Sequence, residues 1–217
     1  MISRGLKDFY YKISSPFLYI NGGIFKYFRA PSSGTVRVQL GPGQRNYLKN
    51  WLNLDANIFT KIDVAVDLRH KLPFKDNSVD CFYSFHVIEH LPDLHKHFTE
   101  AKRCLKPGGI YRFGGPNGDS AINRFAAGDT KWFSDFPVKR TSIGGRFENF
   151  IFCKGEHLTI LLESYLKEVL ADVGFKEVRV GVPVKTTSSP ELFNDCLAIE
   201  YEDNFEYPHS IVLEAVK

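Results

Sequence analysis

The sequence predicts one doubly wound α/β domain with a mostly parallel sheet that ends in an antiparallel hairpin. Short apolar segments recur along the first half of the chain, at 36–40, 51–55, 64–68 and 81–85, and the first three have a glycine or an acidic residue at or near their ends. Helical spacing of apolar residues follows at 93–105 and 157–173. Alternating strands and helices favour parallel pairing, because each crossover returns the chain to the same edge of the sheet.

The first four strands are expected to end beside one another. The first leads into the turn Gly41-Pro42-Gly43, the second closes on Asp55, and the third has Asp67 near its end. The fourth runs into Phe85 and His86. Only residues 44–50 separate the first turn from the second strand, where a crossover usually takes about 10–12 residues. The first helix is therefore expected to be a single turn.

The later elements are predicted from periodicity and from helix-stop signals. The helix over 93–105 should stop at Lys106-Pro107-Gly108-Gly109, since proline cannot continue a helix and glycine supplies the turn. A fifth strand at 110–113 precedes a long irregular insertion at about 118–154. A second long helix, opened by His157, should end at Gly174. The remaining strands are expected at 175–184, 196–200 and 209–216.

Residues 1–33 differ in composition from the rest and are predicted to be an N-terminal arm on a domain that spans 34–217. Aromatic residues alternate there with Lys and Arg, and polar interruptions argue against a secretory signal. We expect this arm to pack its aromatic side chains on the domain or to form a lid over the substrate. Peripheral contact with a membrane surface is the alternative.

Composition excludes several classes of protein. A chain of 217 residues with 43% hydrophobic and 24% charged residues is typical of one globular domain. No apolar run reaches the roughly 18–20 residues that span a bilayer, and a net charge of +3 without a long basic run argues against a nucleic-acid partner. The four cysteines have no Cys-x-x-Cys spacing and are expected to be free thiols in a reducing cytoplasm.

The order of short motifs resembles the class I S-adenosylmethionine-dependent methyltransferases, from Val36 to about Asn117. The motifs that carry this resemblance are Leu40-Gly41-Pro42-Gly43, Asn53-Leu54-Asp55, Asp67-Leu68, Leu72-Pro73-Phe74, Val87-Ile88-Glu89-His90-Leu91 and Leu105-Lys106-Pro107-Gly108-Gly109. The resemblance implies a Rossmann-like sheet of seven strands, S-adenosylmethionine as cofactor, and methyl transfer to a small polar molecule. It further suggests O-methylation of a sugar or related metabolite, in a subgroup that serves glycan biosynthesis.

The resemblance also implies roles for individual residues. Gly41 and Gly43 would let the methionine part lie against the first turn, and Asp55 would bind the ribose hydroxyls through its carboxylate. Asp67 would accept from the adenine amino group, with the backbone of Leu68 at the ring edge. The cofactor would further be lined by Phe85 and His86.

A hydroxyl acceptor needs a base, and histidine has an ordinary pKa suited to neutral pH. His86 is the first candidate and His157 the second. Glu89 and His90 could hold a metal, but a helix-start pair that bonds to backbone is favoured for them, so no metal is predicted. In the insertion, Arg146 follows Gly144-Gly145 and is predicted to bind the acceptor. Arg146 and these glycines are expected to move or become ordered when the acceptor binds.

Two departures from the family pattern leave other functions open. Gln39 stands where the family usually carries an acid, and Arg45 where a third glycine is common. A non-catalytic protein that binds cofactor or a partner is therefore an alternative. A nicotinamide-dependent oxidoreductase is disfavoured, because its fingerprint places an acid about 20 residues after a Gly-x-Gly-x-x-Gly, and position 46 is Asn46.

Overall fold

A computed structural model describes residues 4–31 and 33–217, without the side chains at positions 4 and 6–8; positions 1–3 and 32 of the predicted arm lie outside it. Its centre is a seven-stranded sheet with the order β3-β2-β1-β4-β5-β7-β6. The strands are β1 (Arg37–Leu40), β2 (Leu52–Asp55), β3 (Val64–Ala65), β4 (Val79–Phe85), β5 (Leu105–Pro116), β6 (Glu177–Gly181) and β7 (Ser210–Val216).

The pairing confirms the predicted fold class. Strands β1 to β5 are parallel, and β7 lies antiparallel between β5 and β6. The order reverses at β1, where the chain crosses from the β2 side of the sheet to the β4 side. The carboxyl ends of β1, β2 and β4 therefore lie next to one another, and in open sheets this reversal point is where ligands bind.

Helices cover both faces of the sheet. They are α1 (Arg4–Ile24), α2 (Leu94–Cys104), α3 (Gly118–Ala126), α4 (Ile143–Phe152), α5 (Glu163–Val173) and α6 (Pro190–Leu197). The core on one face contains Phe98 of α2 and Leu166 and Leu170 of α5. The other core joins Phe193 of α6 to Trp51. Apolar strand residues are thus buried on both sides, as in a doubly wound sheet.

Three predicted elements are wrong. Residues 196–200 do not form a strand, because Pro190 opens helix α6 at a position that suits proline, and Phe193 and Cys196 face the core. The helix predicted from His157 begins only at Glu163. The insertion is not irregular throughout, since Asn117 and Ser142 cap helices α3 and α4 by accepting from backbone N–H groups.

The N-terminal arm is helical and crosses the carboxyl ends of β2 and β3. The hydroxyl of Tyr10 donates to the carbonyl of Ala56 (2.6 Å), and the amide of Asn21 donates to the carbonyl of Ala65 (2.8 Å). Leu18 and Phe25 are buried, the latter in a short π-helix at Phe25–Arg29 that follows α1. Among the described residues, no helix has the length and apolar character needed to cross a membrane.

Candidate functional site

The glycine turn after β1 requires glycine at its first position. Gly41 has a φ of 67° and Gly43 a φ of 58°, both in the left-handed region. A Cβ on Gly41 would lie 2.5 Å from Cγ2 of Val87, so no side chain fits. The N–H of Asn46 donates to the carbonyl of Pro42 (3.2 Å), which closes one turn. This one turn stands where the short spacing predicts a single-turn helix, and no helix lies between β1 and β2.

Asp55 lies directly beside this turn. Its Oδ2 accepts from the N–H of Gly43 (3.1 Å), and its Oδ1 accepts from the N–H of Asn57 (2.9 Å). Each oxygen retains a lone pair for a further donor, because a carboxylate offers about four acceptor sites. The ends of β1 and β2 thus place a backbone turn without side chains against a half-buried carboxylate.

Asp67 is held by the protein itself. Its Oδ1 accepts from the backbone N–H (3.0 Å) and Nε (2.9 Å) of Arg69, while its Oδ2 accepts from Nη2 of Arg69 (2.6 Å) and from the hydroxyl of Ser15 on α1 (2.8 Å). Burial alone would raise the pKa of Asp67, but the bonds from Arg69 and Ser15 hold it below its usual value. The adjacent Leu68 is partly buried against the core.

His86 stands at the carboxyl end of β4 in a left-handed conformation, with a φ of 56°. Its N–H donates to the carbonyl of Gly114 (2.9 Å), and its ring packs edge-on against Phe85 at 4.6 Å between centroids. Nδ1 lies 3.3 Å from Oε1 of Glu89, and Nε2 lies 3.3 Å from Oγ of Ser210. The imidazole is about half exposed, at 45%. One side of the imidazole therefore contacts a buried acid, and the other side is open to solvent at the edge of the sheet.

Glu89 is the centre of a cluster that the sequence did not predict. It lies in a 3₁₀ turn at Ile88–His90, only 1% exposed, and neither carboxylate oxygen has a hydrogen-bond partner among the described residues. Burial alone would raise the pKa of Glu89, but His86 and His90 beside it lower the value. Glu89 is thus a buried acid surrounded by imidazoles.

His157 reaches the same cluster, although it does not open a helix. The N–H of Leu158 donates to the carbonyl of Glu89 (2.7 Å), and this bond ties the segment to the turn that carries Glu89. The rings of His90 and His157 lie 4.9 Å apart. Burial lowers the pKa of His157, which favours the neutral imidazole. The two histidines predicted as bases, His86 and His157, are therefore brought to neighbouring places around Glu89.

Arg146 and Gln39 are engaged within the protein. The guanidinium of Arg146 donates to the carbonyls of Arg140 and Phe133 (both 2.9 Å) and pairs with Asp135 at 2.8 Å. In this conformation its bonds hold parts of the insertion together. The buried side chain of Gln39 accepts from the N–H of Leu48 (3.1 Å), so it supports the loop that follows the glycine turn.

Comparison with known proteins adds sequence relatives for the same region. Residues 21–113 match the family model of a methyltransferase domain. A ubiquinone/menaquinone biosynthesis C-methyltransferase of Rickettsia felis is 39% identical over 134 residues, which cover 58% of this chain and 50% of that protein. A probable S-adenosylmethionine-dependent methyltransferase of Mycolicibacterium smegmatis is 45% identical over 56 residues, covering 24% of this chain and 22% of that protein. The chain spans at most half the length of these two curated relatives.

Solved structures share the fold over nearly the whole chain. A methyltransferase from Thermotoga maritima, described as a possible histamine N-methyltransferase, has a TM-score of 0.53 at 18% identity and covers 99% of this chain and 97% of its own. A methyltransferase from Mesorhizobium loti has a TM-score of 0.52 at 17% identity and covers 94% and 97%. At these identities the likeness establishes the fold alone.

Proposed function

We propose an activity for this chain on the premise that it belongs to the class I S-adenosylmethionine-dependent methyltransferases. It transfers the methyl group of S-adenosylmethionine to a hydroxyl oxygen of a small polar acceptor, such as a sugar or a related metabolite. One observation carries the proposal: the glycine turn and Asp55, suited to a nucleoside, lie at the same sheet edge as a histidine and acid cluster suited to a hydroxyl.

The residues present fit the cofactor. The turn at Gly41 and Gly43 exposes backbone to a close approach, and a Cβ built on Gly43 would meet only open space. The lone pairs left on Asp55 suit the two ribose hydroxyls, and Asp67, Leu68 and Phe85 would surround the adenosine. When bound, S-adenosylmethionine supplies an activated methyl group on a sulfonium. The protein then has to hold the acceptor in line with it and to remove a proton.

His86 is the residue suited to take that proton. If Nδ1 carries its hydrogen toward the carboxylate of Glu89, then Nε2 presents a lone pair near Ser210. The buried acid would stabilise the imidazolium that forms, while the exposed side of the ring meets the acceptor. His157 lies in the same cluster and is the second candidate. Some relatives are named as C-methyltransferases, so a test has to distinguish methyl transfer to carbon from methyl transfer to oxygen.

A second function, binding without transfer, is favoured by two observations. Asp67 is engaged by Arg69 and Ser15, and Gln39 supplies no negative charge for the methionine ammonium. A chain of this kind would bind cofactor or a partner through the same edge.

The test combines binding and turnover on the full chain. Calorimetry should show that S-adenosylmethionine binds and that NAD does not. Radiolabelled methyl from the cofactor should then appear in a polar, small-molecule fraction of a lysate, and the product linkage should be an ether. Binding without transfer to any fraction would favour the second function, and a carbon-linked methyl would correct the acceptor atom.

A further inference from the structure

Three side chains from two separate segments enclose a space suited to a metal ion. Glu89, His90 and His157 each place one potential ligand atom so that the three atoms lie within 4.8 Å of one another. Two ligands bound to one ion at about 2.1 Å lie roughly 3–4.2 Å apart, so small side-chain movements would close the site. Oε1 of Glu89 is already 3.8 Å from Nε2 of His90.

The carboxylate of Glu89 supplies an independent observation. A buried polar atom almost always has a hydrogen-bond partner, because leaving it without one costs about 1–3 kcal/mol. Neither oxygen of Glu89 has a well-formed hydrogen bond among the described residues, at 1% exposure. Oε1 has imidazole nitrogens of His86 and His90 at 3.3 and 3.8 Å. The other acid and histidine cluster among the described residues differs in this respect, since Glu202 there accepts from the N–H of Ser210 and of Asn204. Only the first cluster has an unsatisfied buried acid.

The histidines are oriented as metal ligands are. Nδ1 of His90 lies 2.9 Å from the carbonyl of Glu156, and Nδ1 of His157 lies 2.9 Å from the carbonyl of Ile151. A carbonyl can only accept, so each Nδ1 carries the proton and each Nε2 keeps its lone pair. Metal-binding histidines usually have such a carbonyl behind them.

We propose that Glu89, His90 and His157 bind one divalent transition-metal ion, of which Zn²⁺ is the natural probe because two imidazoles and a carboxylate suit it. Three protein ligands leave a coordination position open. His86 lies beside the site, at 3.3 Å from Glu89, so an ion held there would lie close to the place assigned to the acceptor. The inference rests on the proposed function for that placement: the ion would hold the acceptor oxygen and make its proton easier to remove.

Calorimetry tests binding without reference to activity. The full chain, treated with chelator and desalted, is titrated with ZnCl₂ and should bind one ion. Glu89→Gln and His157→Gln should each weaken binding by more than about 100-fold, since even the loss of a supporting group costs 10–100-fold. His95→Gln, which changes an exposed histidine on α2, is the matched control and should leave affinity unchanged.

A second measurement covers variants that fail to fold. Co²⁺ added to the wild-type chain should give visible absorption bands that Zn²⁺ abolishes. Absence of stoichiometric binding, or equal affinity in folded Glu89→Gln and His157→Gln, would overturn the metal site. S-adenosylmethionine titrations on the same samples separate the two proposals. Methyl transfer by metal-free protein would support the proposed function and contradict a role of the ion in it. Ion binding by a chain that does not bind S-adenosylmethionine would support the metal site and contradict the proposed function.

A different observation concerns the outer face of α1. Large apolar side chains occur there every three or four residues, at Phe9, Ile13, Phe17, Ile20 and Ile24, and Tyr27 and Phe28 continue the stripe in the π-helix that follows α1. They are well exposed, with Phe17 at 71% and Phe28 at 84%. Large exposed apolar patches usually mark an interaction surface.

The charge of the segment indicates the partner. Residues 4–29 contain five basic residues and one acid, Asp8. An amphipathic helix with aromatic residues and a cationic balance suits the surface of an anionic membrane. The inner face of α1 is occupied by the domain through Tyr10, Ser15 and Asn21, so the stripe is free to face outward. We infer that α1 docks the protein on an anionic lipid surface.

Vesicle sedimentation tests this inference. The full chain should bind vesicles in which a quarter of the lipid is anionic phosphatidylglycerol at least 10-fold more tightly than vesicles of neutral phosphatidylcholine. The double variant Phe17→Ser with Phe28→Ser should lose that binding, whereas Tyr201→Ser, at an equally exposed aromatic position (81%), should not. No preference for anionic vesicles would overturn the inference. So would a wild-type dimer on size-exclusion chromatography that the double variant dissociates, because the stripe would then bind a second copy.

Discussion

Replacement of Asp55 by alanine should weaken the binding of S-adenosylmethionine by about 1.5–3 kcal/mol, or roughly 10- to 150-fold in Kd. The magnitude follows from the acceptor sites of its carboxylate. The N–H groups of Gly43 and Asn57 occupy one site on each oxygen, which leaves one on each for a ribose hydroxyl. We take the range for a hydrogen bond to a charged group and not its double, because a ribose hydroxyl left without Asp55 can still bind water at this half-buried site.

Isothermal titration calorimetry of the folded variant measures this change. Asp172→Ala, at an exposed acid on α5, is the matched control and should bind cofactor as the wild type does. Because Asp55 also supports the glycine turn, a thermal melt has to show that Asp55→Ala remains folded. A folded Asp55→Ala with unchanged affinity would refute the assignment of the β1 and β2 ends as the nucleoside site.

Three further predictions concern turnover and stability. His86→Ala should reduce turnover by about 10²–10⁴ with little change in cofactor affinity, and a full rate in steady-state assays would transfer the role of base to His157. Burial lowers the pKa of His97 to about 4, so the unfolded chain takes up a proton near pH 6.5 and the folded chain does not. Stability should fall as the pH falls between these values, by at most about 3 kcal/mol, and urea unfolding at pH 7 and 4.5 should show a smaller difference in His97→Gln. Arg112→Met should cost about 3–5 kcal/mol in the same assay, because the fully buried Arg112 pairs at 2.6 Å with both Glu200 and Glu214, which would lose their partner. Arg179→Met, at an exposed pair, should leave the free energy of unfolding nearly unchanged.

The sheet could be predicted because its strands end on strong local signals. Gly41 and Gly43 have left-handed backbones that favour glycine, and Asp55 ends its strand as the pattern predicts. The helices were harder to predict. The segment Cys196-Leu197-Ala198-Ile199 is short and apolar, and periodicity cannot separate a strand from a buried helix at that length. What decides is Pro190 upstream, which opens α6.

The cluster at Glu89 could not be predicted, because it depends on tertiary contacts. The segment after His157 is apolar and resembles the start of a helix in sequence. Its backbone is instead bound across the fold, with the N–H of Leu158 on the carbonyl of Glu89 and the N–H of Gly118 on the carbonyl of Leu161. His97 shows the same limit. It is buried with Nε2 at 2.9 Å from the hydroxyl of Tyr111, a residue of β5 that only the folded chain brings next to it.

The N-terminal helix contacts the carboxylate that we propose for adenine binding. Asp67 already accepts four hydrogen bonds, three from Arg69 and one from Ser15, so each of its oxygens is fully used. An adenine amino group would be a fifth donor, and it can bind only if Ser15 or Arg69 withdraws. Both connect the site to α1, since the guanidinium of Arg69 also stacks on the ring of Tyr11 at 3.8 Å. If Asp67 binds adenine, cofactor affinity must therefore depend on how α1 is docked as well as on the residues of the sheet.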